Sequence, residues 1–274
     1  MTLPDFELQR PETLAEALGL LSEHGESAAF YMGGTELLLA MKYGFAHPSV
    51  LVDGKRLREL RATGADDDWL LLGAGMTHRQ LETSPMLREA LPELALVEAT
   101  VANVRVRAAG TLGGNLCFAE PHSDPATLLI ALGAEVELAS MSGVRSVSME
   151  DFVLGPLQTA LRPGEVMTTI RIPRPAAGTR VAFERIRLRE RPVANVAVAL
   201  TAGGARVVVG AVGPRPVRIT EAEDLLADHP DAIDEACALV GAGVRPYADS
   251  EGSIEYKRHL ASVVTGRALR RAAA

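Results

Sequence analysis

Two Gly-Gly pairs, each delivered by an apolar segment, constrain this chain more than any other feature. The first lies in Tyr31-Met32-Gly33-Gly34-Thr35-Glu36-Leu37, the second in Ala108-Ala109-Gly110-Thr111-Leu112-Gly113-Gly114-Asn115-Leu116. Glycine tolerates left-handed backbone and lets a ligand approach the main chain, so successive N–H groups can converge on an anion. One Gly-Gly pair is more often a turn. Two of them, flanked by Thr35, Thr111 and Asn115, read as halves of one diphosphate cradle. Neither run fits the G-x-G-x-x-G dinucleotide fingerprint or the G-x-x-x-x-G-K-[ST] phosphate loop, which argues against both of those folds.

Hydrophobic periodicity sets the runs on a mixed helix and strand frame. A strand over 5–8, a helix opened by Pro11, a strand over 28–32, a helix over 36–43 capped by Thr35, and a strand over 49–52 make a small β-α-β-α-β unit. Strands over 69–74 and 166–172 then bracket a helix over 93–101, the second glycine run, a helix over 126–132 with Asp124 as its cap, and a hairpin at Ser142-Gly143. Residues 174–178 read as a linker. Beyond it come strands over 180–187, 194–200 and 206–212, then helices over 221–227, 231–240 and 253–271. Strands followed by helices predict an α+β fold. The expected division is a domain of 1–174, with lobes of about 1–56 and 57–174, and a second domain of 179–274.

Composition narrows the function. At 274 residues the chain accommodates about two domains of ~150 residues. No apolar run approaches the ~18 residues of a membrane span, and the N-terminus carries no secretory pattern, so a cytoplasmic location is expected. A net charge of −7, with both signs interspersed, argues against nucleic acid as a partner. Cys117 and Cys237 cannot by themselves ligate zinc or an iron–sulfur cluster, and no metal site is expected. Cys117 reads either as a neighbour of the ligand or as a small buried hydrophobe. His78 and His122 read as surface-loop histidines, and no nucleophile–base arrangement stands out.

The runs Met32-Gly33-Gly34-Thr35-Glu36-Leu37 and Thr111-Leu112-Gly113-Gly114-Asn115-Leu116, followed by Ala119-Glu120-Pro121-His122-Ser123-Asp124, resemble the two FAD-binding signatures of the molybdenum hydroxylase flavoprotein subunits. These are the medium chains of carbon monoxide dehydrogenase and the matching domain of xanthine dehydrogenase. The resemblance extends from about Pro4 to Ala268 and takes in 252–260. It implies a two-lobed, PCMH-type FAD-binding domain followed by a smaller α+β domain that closes over the flavin.

Residue by residue, the resemblance implies FAD contacts from Tyr31, Met32, Gly33, Gly34, Thr35, Glu36 and Leu37. The second signature adds Gly110, Thr111, Leu112, Gly113, Gly114 and Asn115. Val101 and Met167 fall at apolar contacts, and Ser123 and Asp124 at the sugar-like part of FAD, although Asp124 is equally the helix cap. Glu36 is awkward beside a diphosphate and is expected to turn away along the first helical turn. Arg185 stands where the family has a lysine beside the flavin ring. The segment Arg189-Glu190-Arg191-Pro192-Val193 departs from the family pattern of an acid followed by a ring-covering aromatic.

The resemblance further implies an FAD-binding electron-transfer subunit, an oxidoreductase component with no catalytic residues of its own. Its partners would be a molybdenum-cofactor large subunit and a [2Fe-2S] small subunit, in a dimer of heterotrimers. Electrons would pass through FAD to NAD⁺, quinone, O₂ or another acceptor. A stand-alone flavin-dependent oxidoreductase and an FAD-free scaffold subunit are the alternatives. The substrate is selected in another chain, so carbon monoxide, purines, aldehydes and N-heterocycles all remain open.

Overall fold

The computed structural model describes residues 2–188 and 191–274. Strands β1 (Glu7–Gln9), β2 (Ala28–Tyr31) and β3 (Val50–Asp53) alternate with helices α1 (Leu14–His24) and α2 (Leu37–Tyr43). β3 lies between β1 and β2 and pairs with both in parallel, which requires a crossover between successive strands. Thr13 caps α1 by accepting from the Glu16 amide, and the helix stops at Gly25 with φ +53°. Ala17, Leu18 and Leu21 share a core with Val50 and Val52. The sequence periodicity predicts this unit with shifted edges: β1 spans Glu7–Gln9 instead of 5–8, and α1 starts at Leu14 behind Thr13 instead of at Pro11. Glu36, not Thr35, occupies the cap position of α2, and it makes no side-chain cap hydrogen bond.

The second unit opens with β4 (Thr63–Ala65) and β5 (Trp69–Gly73). Six short helices follow: α3 (His78–Glu82), α4 (Pro85–Ala90), α5 (Pro92–Glu98), α6 (Val104–Ala109), α7 (Leu112–Phe118) and α8 (Asp124–Ala131). The chain then returns through β6 (Glu135–Ser140), β7 (Gly143–Ser148), α9 (Met149–Phe152), the ribbon β8 (Val153–Gly155) and β9 (Gln158–Thr159), and β10 (Val166–Pro173). The main sheet runs β4-β5-β10-β6-β7 and is antiparallel, with a register shift in β10 between Met167 and Thr169.

Local sequence misreads this helical run in three places. α5 ends at Glu98, because the chain reverses at Ala102 (φ 41°) and Asn103 caps a new helix by accepting from the Arg105 and Val106 amides. α6 buries no residue fully, so it leaves no apolar stripe to detect. The second glycine run, read as half of a cradle, is helical: it forms the first turn of α7, capped by Thr111. Ser123 rather than Asp124 caps α8, by accepting from the Ala126 amide.

The third unit is the antiparallel sheet β11 (Arg180–Arg187), β12 (Pro192–Thr201), β13 (Gly204–Gly210) and β14 (Val217–Arg218), with α10 (Thr220–Asp228), α11 (Ile233–Gly243) and α12 (Ile254–Ala273). Alternate residues serve opposite faces. Ala182, Val196, Val198, Val207 and Val209 pack with Val240, Val264 and Leu269 of the helices. Phe183, Ala197 and Val208 join the core built around Leu128, Ile130 and Leu138 of the second unit. Both faces of the sheet are therefore covered, and β11 and β12 are held against α8. Among the described residues no helix is long and apolar enough to cross a membrane.

Candidate functional site

The two glycine runs meet. Met32 leaves the β2 edge, and a Cβ on Gly33 would lie 2.7 Å from the Gly110 Cα and overlap the Ala109 carbonyl. Gly34 takes φ +71°, left-handed backbone that side chains rarely adopt, with the Tyr31 ring against it. Lys55 Nζ stands 3.6 Å from the centre of the Tyr31 ring, fixing the other side of that wall. Between the runs opens a cleft of about 590 Å³, within the ~300–1,000 Å³ usual for small-molecule sites.

Hydrogen-bond accounting separates the two runs. The amides of Gly33, Gly34, Thr35, Glu36 and Leu37 have no acceptor among the described residues, and neither does the Thr35 hydroxyl. Buried or semi-buried amides normally find partners, so five successive open donors form an anion-binding concavity. In the second run the donors are spent within the protein. Leu112 N donates to Met76 O at 3.0 Å, Gly113 N to Ala74 O at 2.9 Å and Gly114 N to Thr111 Oγ1 at 3.1 Å. The expectation that both runs offer open amides is corrected accordingly. Gly113 is glycine because α7 packs on the Ala74 backbone, 2.7 Å from where a Cβ would sit, whereas Gly114 is exposed.

Residues 31–37 line the cleft, together with Thr111, Gly113, Gly114, Asn115, Val101 and Met167. Gly110 and Leu112 are buried beneath it. Asn115 Oδ1 accepts from Ser123 Oγ at 2.6 Å, and its Nδ2 has no partner among the described residues. Glu36 stays on the cleft wall instead of turning away. Burial pushes its carboxyl above the usual carboxylate range; Arg191 partly offsets this and Glu120 adds to it.

Asp124 and Arg185 lie outside the cleft lining and bind each other. Asp124, 4% exposed, also accepts from Arg187 at 3.2 Å and from Asn195 Nδ2 at 2.8 Å. Asn195 in turn accepts from Thr127 Oγ1 at 2.9 Å. The network joins α8 to β11 and β12, so Arg185 is occupied by a carboxylate where a flavin-ring contact is expected. The departing segment begins with Arg189 and Glu190, which lie outside the described residues. Arg191 pairs with Glu120 at 2.9 Å.

The two histidines differ: His122 sits half-buried in a turn, and His78 is buried at the start of α3. His122 Nδ1 bonds Glu120 at 2.8 Å. Burial would raise the Glu120 carboxyl, but the His122 hydrogen bond and charge and the Arg191 charge outweigh it and hold it low. His78 is buried against Glu98 at 2.6 Å and lines the cleft. Burial pushes the Cys117 thiol up to about 12, so it sits in the cleft wall as an unreactive small hydrophobe. The strap from Leu161 to Val166 and the Ala74-Gly75 turn are further cleft walls that lie outside the two glycine signatures. The closely spaced Gly73 and Gly75, which pack on Leu60, are a legible signal for that turn.

The site is suited to FAD. Open amides and hydroxyls meet a diphosphate, and apolar walls at Val101, Val106, Phe118 and Met167 suit aromatic rings. The comparisons agree. Residues 4–175 match the family described as the FAD binding domain in molybdopterin dehydrogenase, and residues 185–272 the CO dehydrogenase flavoprotein C-terminal domain. The chain is 34% identical to the carbon monoxide dehydrogenase medium chain of Afipia carboxidovorans, covering 98% of this chain and 97% of that one. It is 31% identical to caffeine dehydrogenase subunit beta of a Pseudomonas strain, covering 98% and 95%. A solved carbon monoxide dehydrogenase chain from Hydrogenophaga pseudoflava superposes with a TM-score of 0.94 at 33% identity, covering 99% and 98%. The cleft, its donors and these matches lead to one assignment: the chain belongs to the FAD-binding medium subunits of the molybdenum hydroxylase-type dehydrogenases, an oxidoreductase flavoprotein.

Proposed function

We propose that this subunit accepts electrons from iron–sulfur clusters of a partner subunit and passes them through FAD to an external acceptor. A separate molybdenum-containing subunit would oxidise the substrate. The observation that carries the reading is the row of open amides from Gly33 to Leu37 facing a cleft between two lobes. In this reading those amides and the Thr35 hydroxyl hold the diphosphate, and Asn115 Nδ2 donates to the cofactor. Val101 and Met167 bound its rings. FAD, when bound, supplies both one-electron and hydride chemistry, which lets a single-electron relay feed a two-electron acceptor. The chain's own residues bind, orient and exclude water. The division near 174–178, between β10 and β11, then separates the cofactor domain from a domain that fixes α8 through Asp124.

The test is the visible spectrum of the purified chain, alone and co-expressed with its neighbouring large and iron–sulfur subunits. About one reducible flavin per chain, together with co-purification of a [2Fe-2S] subunit, is expected. A complex without flavin absorbance refutes the electron-transfer role.

A further inference from the structure

Behind the cleft wall, where His78 lines it, lies a buried imidazole–carboxyl pair. His78 begins α3 and Glu98 ends α5; their side chains are 3% and 0% exposed, with Nδ1 2.6 Å from Glu98 Oε2. Glu98 Oε1 has no hydrogen-bond partner and is the one such buried side-chain atom among the described residues. Leu94 and Val97 of the same helix are as deeply buried and apolar, so a hydrophobic residue would fill this depth without desolvating a carboxyl group.

The free end of the pair is next to the open amides. A methyl group on Gly110 would lie 3.1 Å from Thr35 Oγ1 and 3.3 Å from His78 Cδ2, so hydroxyl and imidazole flank one point. His78 Nε2, bonded to that Cδ2, makes no hydrogen bond among the described residues. The cleft wall carries Glu26, Glu36 and Glu165, with Arg162 its one Lys or Arg among the described residues. Glu165 is already paired with Arg145, so a diphosphate held there finds Arg162 as the wall's one Lys or Arg among the described residues, and each polar donor counts.

We propose that His78, held by Glu98, donates from Nε2 to the diphosphate of the bound cofactor; this rests on the FAD assignment above. The pair then holds two protons, one between Nδ1 and Glu98 and one on Nε2. His78 contacts the cofactor. Glu98 is a positioning residue that fixes the ring and keeps the second proton on the pair.

The experiment measures FAD dissociation constants of the flavin-stripped full chain, with melting temperatures as a check of folding, and ¹⁵N and ³¹P NMR of the FAD-loaded chain. His78→Phe weakens FAD about 10- to 100-fold, the loss of one hydrogen bond to a charged group. Glu98→Gln weakens it less, because an amide that donates to Nδ1 leaves the ring's proton on Nε2 but removes the carboxyl group behind it. His78→Gln, whose amide nitrogen reaches toward the Nε2 position, recovers part of the loss. In wild type the His78 Nε2 is protonated in the loaded chain, its signal moves on FAD addition, and the ³¹P signals shift in Glu98→Gln. A folded His78→Phe variant with FAD affinity within about twofold of wild type overturns the proposal. So does an unprotonated or unmoved Nε2 in wild type, which decides the matter even where His78→Phe does not fold. Wild type that binds no FAD overturns instead the assignment on which the proposal rests.

Discussion

Replacing Asp124 with asparagine asks whether this carboxylate serves the fold or touches the cofactor. Its Oδ2 accepts from Arg185 and Arg187 and its Oδ1 from Asn195, so protein donors already engage both oxygens. Asparagine keeps the shape and one acceptor but leaves two guanidinium groups without their anion. Removing one partner of a fully buried ion pair costs about 3–5 kcal/mol. The arginine side chains here are 18% and 30% exposed, and since exposed pairs contribute under about 1 kcal/mol, the expected loss is about 2–3 kcal/mol. An unfolding entropy of about 2.1 cal/mol/K per residue over 274 residues converts this to a fall in melting temperature of about 3–5 °C. Melts followed by circular dichroism on Asp124→Asn, Arg185→Ala and the double variant should give a coupling above about 1 kcal/mol. A melting temperature within about 1 °C of wild type, combined with lost FAD affinity, would refute the reasoning and give the carboxylate to the cofactor.

The adjacent glycines of α7 should respond in opposite ways. Gly113→Ala drives a Cβ to 2.6 Å from the Ala74 Cβ and 2.7 Å from its carbonyl, costing about 1–3 kcal/mol in denaturant midpoints. Gly114→Ala meets only Thr111 Oγ1 at 2.9 Å, a side-chain cap that can shift where the Ala74 backbone cannot, so it costs less stability than Gly113→Ala and instead weakens FAD; the reverse ranking would mean that the second run does not border the cofactor. Glu165 should give an acid-linked stability. The two Arg145 hydrogen bonds, at 2.7 and 2.8 Å, together with the Arg162 amide, outweigh burial and hold its carboxyl below the ordinary 4.5. A carboxylate with a depressed folded-state pKa contributes stability fully above its unfolded value and loses it as pH falls through the folded one. The urea midpoint of wild type minus that of Glu165→Gln should therefore be flat above about pH 5 and shrink below 4.5, whereas a constant difference across that range refutes the pairing.

Much of the frame was legible because it is local. The apolar stripe of α1, Pro125 in the first turn of α8 and the valines of β12 each announce their element within a few residues. The strand expected over 180–187 is β11 with the same bounds. α6 was illegible for the opposite reason: with no fully buried residue, it is set by the Asn103 cap and the reversal at Ala102. Histidines behave similarly. The sequence around His78 and His122 is polar enough for a loop; the approach of Glu98 from α5 pairs and buries His78, whereas His122 stays half-buried and pairs with its near neighbour Glu120.

The sequence by itself determined that this chain carries two glycine runs, an order of strands and helices, and the signatures of a flavoprotein family, because each is written in neighbouring residues. Tertiary structure alone decided what the glycines are for. Gly33 answers to Ala109 and Gly110, Gly113 to Ala74, and of the two runs it is the stretch from Gly33 to Leu37 whose amides find no acceptor among the described residues. It also decided that Asp124 and Arg185, assigned to the cofactor by resemblance, meet each other across 61 residues of chain. A donor is free or spent according to which distant acceptor the fold brings within about 3 Å, and residue type and spacing along the chain do not encode that distance.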